Sequence, residues 1–98
     1  KSSLTTKSIL QTVAEFYDLP LSDLTGACRK KELVTPRQIA MYLMRDEIGA
    51  SFITIGQELG SRDHTTVIHA CDKIKKSLEN DNKTKQDIIL LKQKLYNK

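Results

Sequence analysis

The chain has 98 residues, enough for one domain with a modest core. Hydrophobic residues make up 39%, Trp is absent and the formal net charge is +4, a balance that favours a polyanion partner without naming one. No apolar run approaches the roughly 20 residues of a membrane span, no signal-peptide pattern opens the chain, and Cys28 and Cys71 form no C-x-x-C pair. Reduced thiols in a cytoplasmic protein are therefore expected. The first residue is Lys1 rather than Met, so a piece of a longer protein is expected as well.

Apolar residues recur at helical rather than strand spacing, which predicts a single compact all-α domain over 1–98 without internal repeats. A first helix is expected from about Lys7 to Tyr17, capped by Thr5 or Thr6, with Ile9, Val13, Phe16 and Tyr17 on one face and Pro20 as its stop. Leu21-Ser22-Asp23-Leu24 reads as a short helical turn closed by Gly26, and Cys28-Arg29-Lys30-Lys31-Glu32 as a basic loop. Thr35-Pro36 predicts a helix start, with Thr as N-cap and Pro at the first helical position. That helix should end near Ile48 with Gly49 beyond it, pointing Ile39, Leu43 and Ile48 inward. Ser51 should cap a short helix from Phe52 to Leu59, stopped by Gly60, the residue best able to take a positive φ. Asp63 should cap the next helix, His64 to about Asn80. Asp81-Asn82-Lys83 reads as a polar break, with Thr84 capping a last helix whose Ile88, Leu91 and Leu95 face the core.

A short helix, a tight turn and a long helix over about 51–80 form the helix-turn-helix pattern. At about 100° per residue, Val67, Ala70, Cys71, Ile74 and Leu78 fall on the packing side of the long helix. Thr65, His69, Asp72 and Lys76 fall opposite, flanked by Thr66 and Lys73. A helix N-terminus offers unpaired N–H groups and a positive dipole end, which suit phosphate. Side chains projecting from it reach base edges in a major groove wide enough for a helix. The alternative is a merely solvated amphipathic face, for which long Lys and Glu chains are the usual choice rather than Asp63, His64, Thr65 and Thr66. Asp63 serves first as N-cap, and one of its oxygens is also suited to accept from a cytosine amine.

Arg37 and Arg45 lie eight residues apart on one helix, hence on one face. They form either a row of cations that follows a phosphate backbone or two solvated arginines; Gln38 adds a donor nearby. Arg29-Lys30-Lys31 fits a narrow minor groove, or is a solvated cluster. His64 and His69 are five apart and so point about 140° away from each other, and neither cysteine has a second ligand at zinc spacing. No nucleophile and oxyanion arrangement accompanies Asp63 and His64, and no G-x-x-x-x-G-K-[ST] loop occurs. The chain is expected to be neither an enzyme nor a holder of metal or cofactor.

Three runs carry a family resemblance: Leu59-Gly60-Ser61-Arg62-Asp63-His64-Thr65-Thr66-Val67-Ile68-His69-Ala70, Pro36-Arg37-Gln38-Ile39-Ala40-Met41-Tyr42-Leu43, and Thr12-Val13-Ala14-Glu15-Phe16-Tyr17. Together they cover nearly the whole chain in order. It resembles the C-terminal DNA-binding domain, domain IV, of the bacterial chromosomal replication initiator family, DnaA. The resemblance implies a helix-turn-helix close to that of the Trp repressor, binding to asymmetric DnaA boxes of the TTATCCACA type at the replication origin and positioning the initiator for origin unwinding; the sequence leaves no extra apolar face for dimerisation, so a monomer on such a site is expected. It implies base reading by Asp63, His64 and Thr65 in the major groove, by Arg29 in the minor groove, and by Phe52 and Ile53 near thymine methyls. Arg37, Gln38, Arg45, Ser61, Arg62, Thr66 and His69 would hold the DNA backbone. The implied ATP site lies in a preceding AAA+ domain outside this sequence. The implied partners are double-stranded DNA, further copies of the initiator through absent domains, and replication regulators, in the cytoplasm at the nucleoid and without a membrane.

Some positions depart from the family pattern. Ser61 replaces the second glycine of the common Gly-Gly-Arg turn, Cys28 stands where a basic residue is common, and Glu32 brings negative charge into the basic loop. Two rival readings remain at this level. A helix-turn-helix transcriptional regulator needs a dimer interface and palindromic sites. A helical protein–protein docking domain would use the same polar face on an acidic partner.

Overall fold

Thr5 starts the first helix through a reciprocal cap: its hydroxyl accepts from the Ser8 backbone N–H at 3.0 Å, and the Ser8 hydroxyl accepts from the Thr5 N–H at 2.9 Å. In the computed structural model, which describes residues 4–26 and 30–96, all regular structure is helical. Helix α1 spans Thr6–Phe16. It ends before Pro20 is reached. Asp18 turns left-handed at φ 56, and the N–H groups of Asp18 and Leu19 return to the carbonyls of Glu15 and Ala14. Pro20 instead opens the short helix α2, Leu21–Thr25, which Gly26 closes.

The helix predicted to begin at Thr35-Pro36 begins earlier. A single 3₁₀ turn, Lys31–Leu33, runs directly into α3, Val34–Ile48, with Leu33 at the cap position and no side-chain cap. Pro36 fits within the first turn, where a missing N–H is still no loss. The far end is as read: Gly49 at φ 65 terminates α3, with Gly49 N–H on Arg45 O and Ala50 N–H on Met44 O. Ile39 and Leu43 are fully buried, while Ile48 is only half-buried.

Ser51 accepts from Thr54 N–H at the start of α4, Phe52–Glu58. Helix α5 spans His64–Asn80, from its Asp63 cap, and α6 spans Asn82–Tyr96. The cap of α6 is Asp81, not Thr84. The Asp81 carboxylate accepts from Lys83 N–H at 3.0 Å and from the Thr84 hydroxyl at 3.0 Å, and Thr84 itself is buried in the first turn. A carboxylate accepts more bonds than a hydroxyl at a helix start and suits the positive dipole end, so Asp81 wins.

Helix α3 lies at the centre, against α1, α4 and α5, and α6 closes the core over α1 and α5. Ile9, Val13, Leu24, Ile39, Leu43, Met44, Ile55, Leu59, Val67 and Leu91 are fully buried there. Each such side chain contributes roughly 1.5–3 kcal/mol by leaving water. On α5, Val67, Ala70 and Ile74 are buried as the periodicity predicts, with Cys71 and Leu78 half-buried at the margin. Ile88, Leu91 and Leu95 of α6 also face inward. Polar ties hold α6 in register. Tyr17 OH donates to Asp87 at 2.9 Å, Lys92 Nζ reaches Asp46 and Glu47 at 3.2 Å each, and Tyr96 OH donates to Glu47. No helix among the described residues is long and apolar enough to cross a membrane.

Candidate nucleic-acid interface

The turn between α4 and α5 fixes the geometry of the interface. Two consecutive residues are left-handed, Gly60 at φ 89 and Ser61 at φ 63. The chain then folds back so that Arg62 N–H donates to Gly56 O at 2.8 Å. A Cβ on Gly56 would collide with the Arg62 carbonyl, and one on Gly60 with the Thr25 carbonyl. Both positions therefore need glycine. Ser61 carries a Cβ in a region that L-residues rarely adopt, so the turn holds local strain where glycine would hold none.

This turn delivers Asp63 to the start of α5, where its carboxylate accepts from Thr65 N–H at 3.2 Å. One Asp63 oxygen is used in that cap, and the other lies 3.7 Å from His64 Nδ1. Asp63, His64, Thr65 and Thr66 are all exposed. They form one continuous polar tip at the positive end of a 17-residue helix dipole. The side chains predicted to read bases from this helix are thus brought together on its open end.

The side chains predicted to hold the backbone divide into two groups. Gln38, Arg62, Thr66 and His69 line a groove of about 320 Å³ between α3 and α5, with Arg37 and Met41 on the α3 wall. Lys73, which the periodicity places at the flank of the polar face, lines the same groove. It lies four residues past His69 and seven past Thr66, one and two turns along the same face.

Arg37 is not the solvent-facing cation that its spacing to Arg45 predicts. It is 7% exposed, and its Nε and Nη2 donate to Asp23 O at 3.2 and 2.6 Å, with Nη2 also reaching Gly26 O at 3.4 Å. Arg62 Nη2 donates to the same Gly26 carbonyl at 2.7 Å. Both guanidinium groups thus cap the end of α2, whose last carbonyls have no partner within the helix. Burial lowers the Arg62 pKa, and the neighbouring Arg37 charge lowers it further.

Arg45 is exposed, yet it is engaged locally. Its Nη1 donates to Ala50 O at 3.1 Å, and its guanidinium carbon lies 4.3 Å from the centre of the Phe52 ring. Phe52 is half-buried, and Ile53 beside it is 63% exposed at the front of α4. Ser61 is exposed at the turn. Arg29, the minor-groove candidate, and Cys28 lie outside the described residues, and so does most of the basic loop's first half. Cys71 is a free thiol whose pKa burial raises. Among the described residues, no group of three or more His, Cys, Asp or Glu side chains is placed to hold a metal ion.

A paired helix and turn with a polar tip is a DNA-reading geometry shared by many proteins, and comparison with known sequences decides which. Residues 6–74 match the family model described as the bacterial dnaA protein helix-turn-helix. The chain belongs to that family. It is 43% identical over 96 residues to the chromosomal replication initiator protein DnaA of Thermomicrobium roseum, covering 98% of this chain and 21% of the relative. It is 42% identical over 97 residues to that of Roseiflexus castenholzii, covering 99% and 20%, and 50% identical over 93 residues to that of Levilactobacillus brevis, covering 95% and 21%. The chain spans about a fifth of the length of these relatives. That fifth is the DNA-binding helix-turn-helix part of the family, not a catalytic part.

Proposed function

We propose that this DnaA-family domain recognises DnaA boxes of the TTATCCACA type in duplex DNA and so places a replication initiator at its origin. The observation that carries the reading is the exposed tip Asp63, His64 and Thr65, set at the N-terminus of α5 by a turn that needs glycine at Gly60 and packs against Gly56 of α4. His64 and Thr65 present hydrogen-bonding groups to base edges, and the second Asp63 oxygen accepts from a cytosine amine. Gln38, Thr66, His69 and Lys73 line the groove that takes a phosphate run, over the positive charge of Arg37 and Arg62. Ser61 adds a hydroxyl at the turn, Arg29 reads the adjacent minor groove, and Phe52 and Ile53 approach thymine methyls. A domain reading one major-groove and one minor-groove segment fits an asymmetric site and one copy per site.

The relatives' remaining four fifths supply the wider context of the proposal. Nucleotide binding and contacts between initiator copies belong to the preceding domains, and regulators act on the assembled protein, in the cytoplasm at the nucleoid. The test is a competition binding assay of the 98-residue chain with a TTATCCACA duplex and a scrambled duplex at two salt concentrations. Tighter binding to the box at both concentrations supports the proposal. Equal binding to both duplexes removes it and favours a docking domain.

A further inference from the structure

We infer that the groove between α3 and α5 is also the docking site of an acidic protein segment, one that carries an apolar side chain between two carboxylates and competes with duplex DNA for the domain. The inference rests on the reading of this groove as the path of a DNA backbone, and it adds a second occupant with its own chemistry. The groove, of about 320 Å³, is framed by cations: Arg37, Arg62 and Lys73 line it with His69, and among the described residues no acidic side chain does. Asp72, next in sequence to Lys73, lies instead in the hollow with Tyr42 and Phe52, and is paired with Lys76 at 3.2 Å. Between the cations the lining is apolar. Met41 and Ala70 are each 3% exposed at the floor, and Val34 is open to solvent at 42%. Phosphates answer the cations and gain nothing from these three side chains. An aliphatic side chain seated on them leaves water, and is favoured in proportion to the area it covers.

The spacing of the charges sets the shape of the occupant. Arg37 and Arg62 meet at the end of α2, where both donate to Gly26 O. Among the described residues no group accepts from Arg62 Nε, and burial and then the Arg37 charge lower the Arg62 pKa. An anion at this end stabilises both guanidinium groups. Lys73 stands at the other end, nine residues past His64 and so roughly 14 Å along the axis from the start of α5. An extended chain advances about 3.3 Å per residue and returns to the same face at every second one. Carboxylates four residues apart therefore span about 13 Å, and the side chain midway between them faces the same way, over Met41 and Ala70. Glu-x-Leu-x-Glu is the simplest segment with this pattern.

The test titrates the 98-residue chain with three end-blocked peptides and follows its amide NMR signals. The first is Ser-Glu-Ser-Leu-Ser-Glu-Ser. The second has alanine for leucine. The third has the composition of the first with leucine moved to one end. The first should bind about tenfold more tightly than either of the others, the worth of partly burying the leucine carbons, and should shift the signals of Met41, Ala70 and Lys73. Lys73→Ala should weaken the first peptide, and Val34→Asn should lower its advantage over the second. In a separate anisotropy assay the first peptide should displace a labelled duplex, TTATCCACA or scrambled, at constant ionic strength. Equal binding of the three peptides would overturn the inference, since the cations would then be collecting any anion. Absence of binding would overturn it too, as would a duplex retained while the peptide is bound, which would put the two on different surfaces. The preference for TTATCCACA over the scrambled duplex is read without peptide, so failure of the box-reading proposal and failure of this one are separate results.

Discussion

Arg37 and Arg62 donate to one acceptor, the carbonyl oxygen of Gly26, at 3.4 and 2.7 Å. One arginine comes from the first turn of α3 and the other from the turn that launches α5. Their shared acceptor ends α2, so α2, α3 and the turn before α5 meet at a single atom. Two cations this close repel each other, and the carbonyls of α2 compensate for part of that repulsion.

Removing Arg37 should therefore cost stability as well as DNA affinity. Arg37→Ala leaves the Asp23 carbonyl, and part of the Gly26 carbonyl's bonding, without a partner, for a loss of about 2–3 kcal/mol in urea unfolding. Arg37→Lys should recover less than half of it, because a lysine cannot donate from two nitrogens at once. Both duplexes should be bound more weakly by the alanine variant, with a shallower salt slope. A wild-type unfolding midpoint for Arg37→Ala would show that these hydrogen bonds contribute nothing net.

The tip of α5 should control preference more than affinity. His64→Ala and Thr65→Ala are each expected to lower the preference for a DnaA box by about 1–3 kcal/mol while leaving binding to random duplex within a factor of about three. Titration of both duplexes at one salt concentration checks this. A uniform loss on the two would place these side chains among the backbone contacts.

Ser61→Gly should stabilise the domain by up to about 1 kcal/mol, because glycine takes φ 63 without the Cβ penalty and gives back only part of that in chain entropy. Gly60→Ala should do the opposite, by roughly 2 kcal/mol or more, since its Cβ meets the Thr25 carbonyl as well as an unfavourable φ. Thermal unfolding of the two variants gives both signs in one experiment.

Asp81 predicts the acid limb of stability. Hydrogen bonds from the Thr84 side chain and backbone hold its carboxyl below its ordinary value of 3.8. A depressed folded-state pKa means that the cap is fully formed above 3.8 and is lost as pH falls through the lower, folded value. Asp81→Asn retains a capping oxygen that does not titrate. Its melting temperature should fall less than that of the wild type between neutral pH and the acid limb. Parallel curves for the two proteins would assign acid unfolding to other carboxylates.

Where the sequence could be read, the signal was local. Gly60 marks a positive φ and Asp63 an N-cap within a few residues of each other, and the start of α5 follows from them. Ser51, Gly49 and Thr5 were legible for the same reason. What could not be read depended on tertiary neighbours. Thr35-Pro36 resembles a helix start, but a 3₁₀ turn docked by the buried Leu33 extends the helix backward past it. Thr84 resembles a cap, but its side chain is buried and hydrogen-bonded to Asp81. Helical spacing put Arg37 and Arg45 on one face without revealing that α2 covers the first and Phe52 lies beneath the second. Periodicity put Lys73 at the flank of the polar face, but only the apposition of α3 gives it a groove.

Gly56 sits with its Cα so near the Arg62 carbonyl that not even a methyl group fits between α4 and the chain entering α5. The elbow is closed at this point to any side chain. If the elbow keeps this shape on a duplex, accommodation is expected from the nucleic acid, whose base steps differ in the effort needed to bend or untwist them. Base steps that no side chain touches are then expected to influence which duplexes the domain prefers.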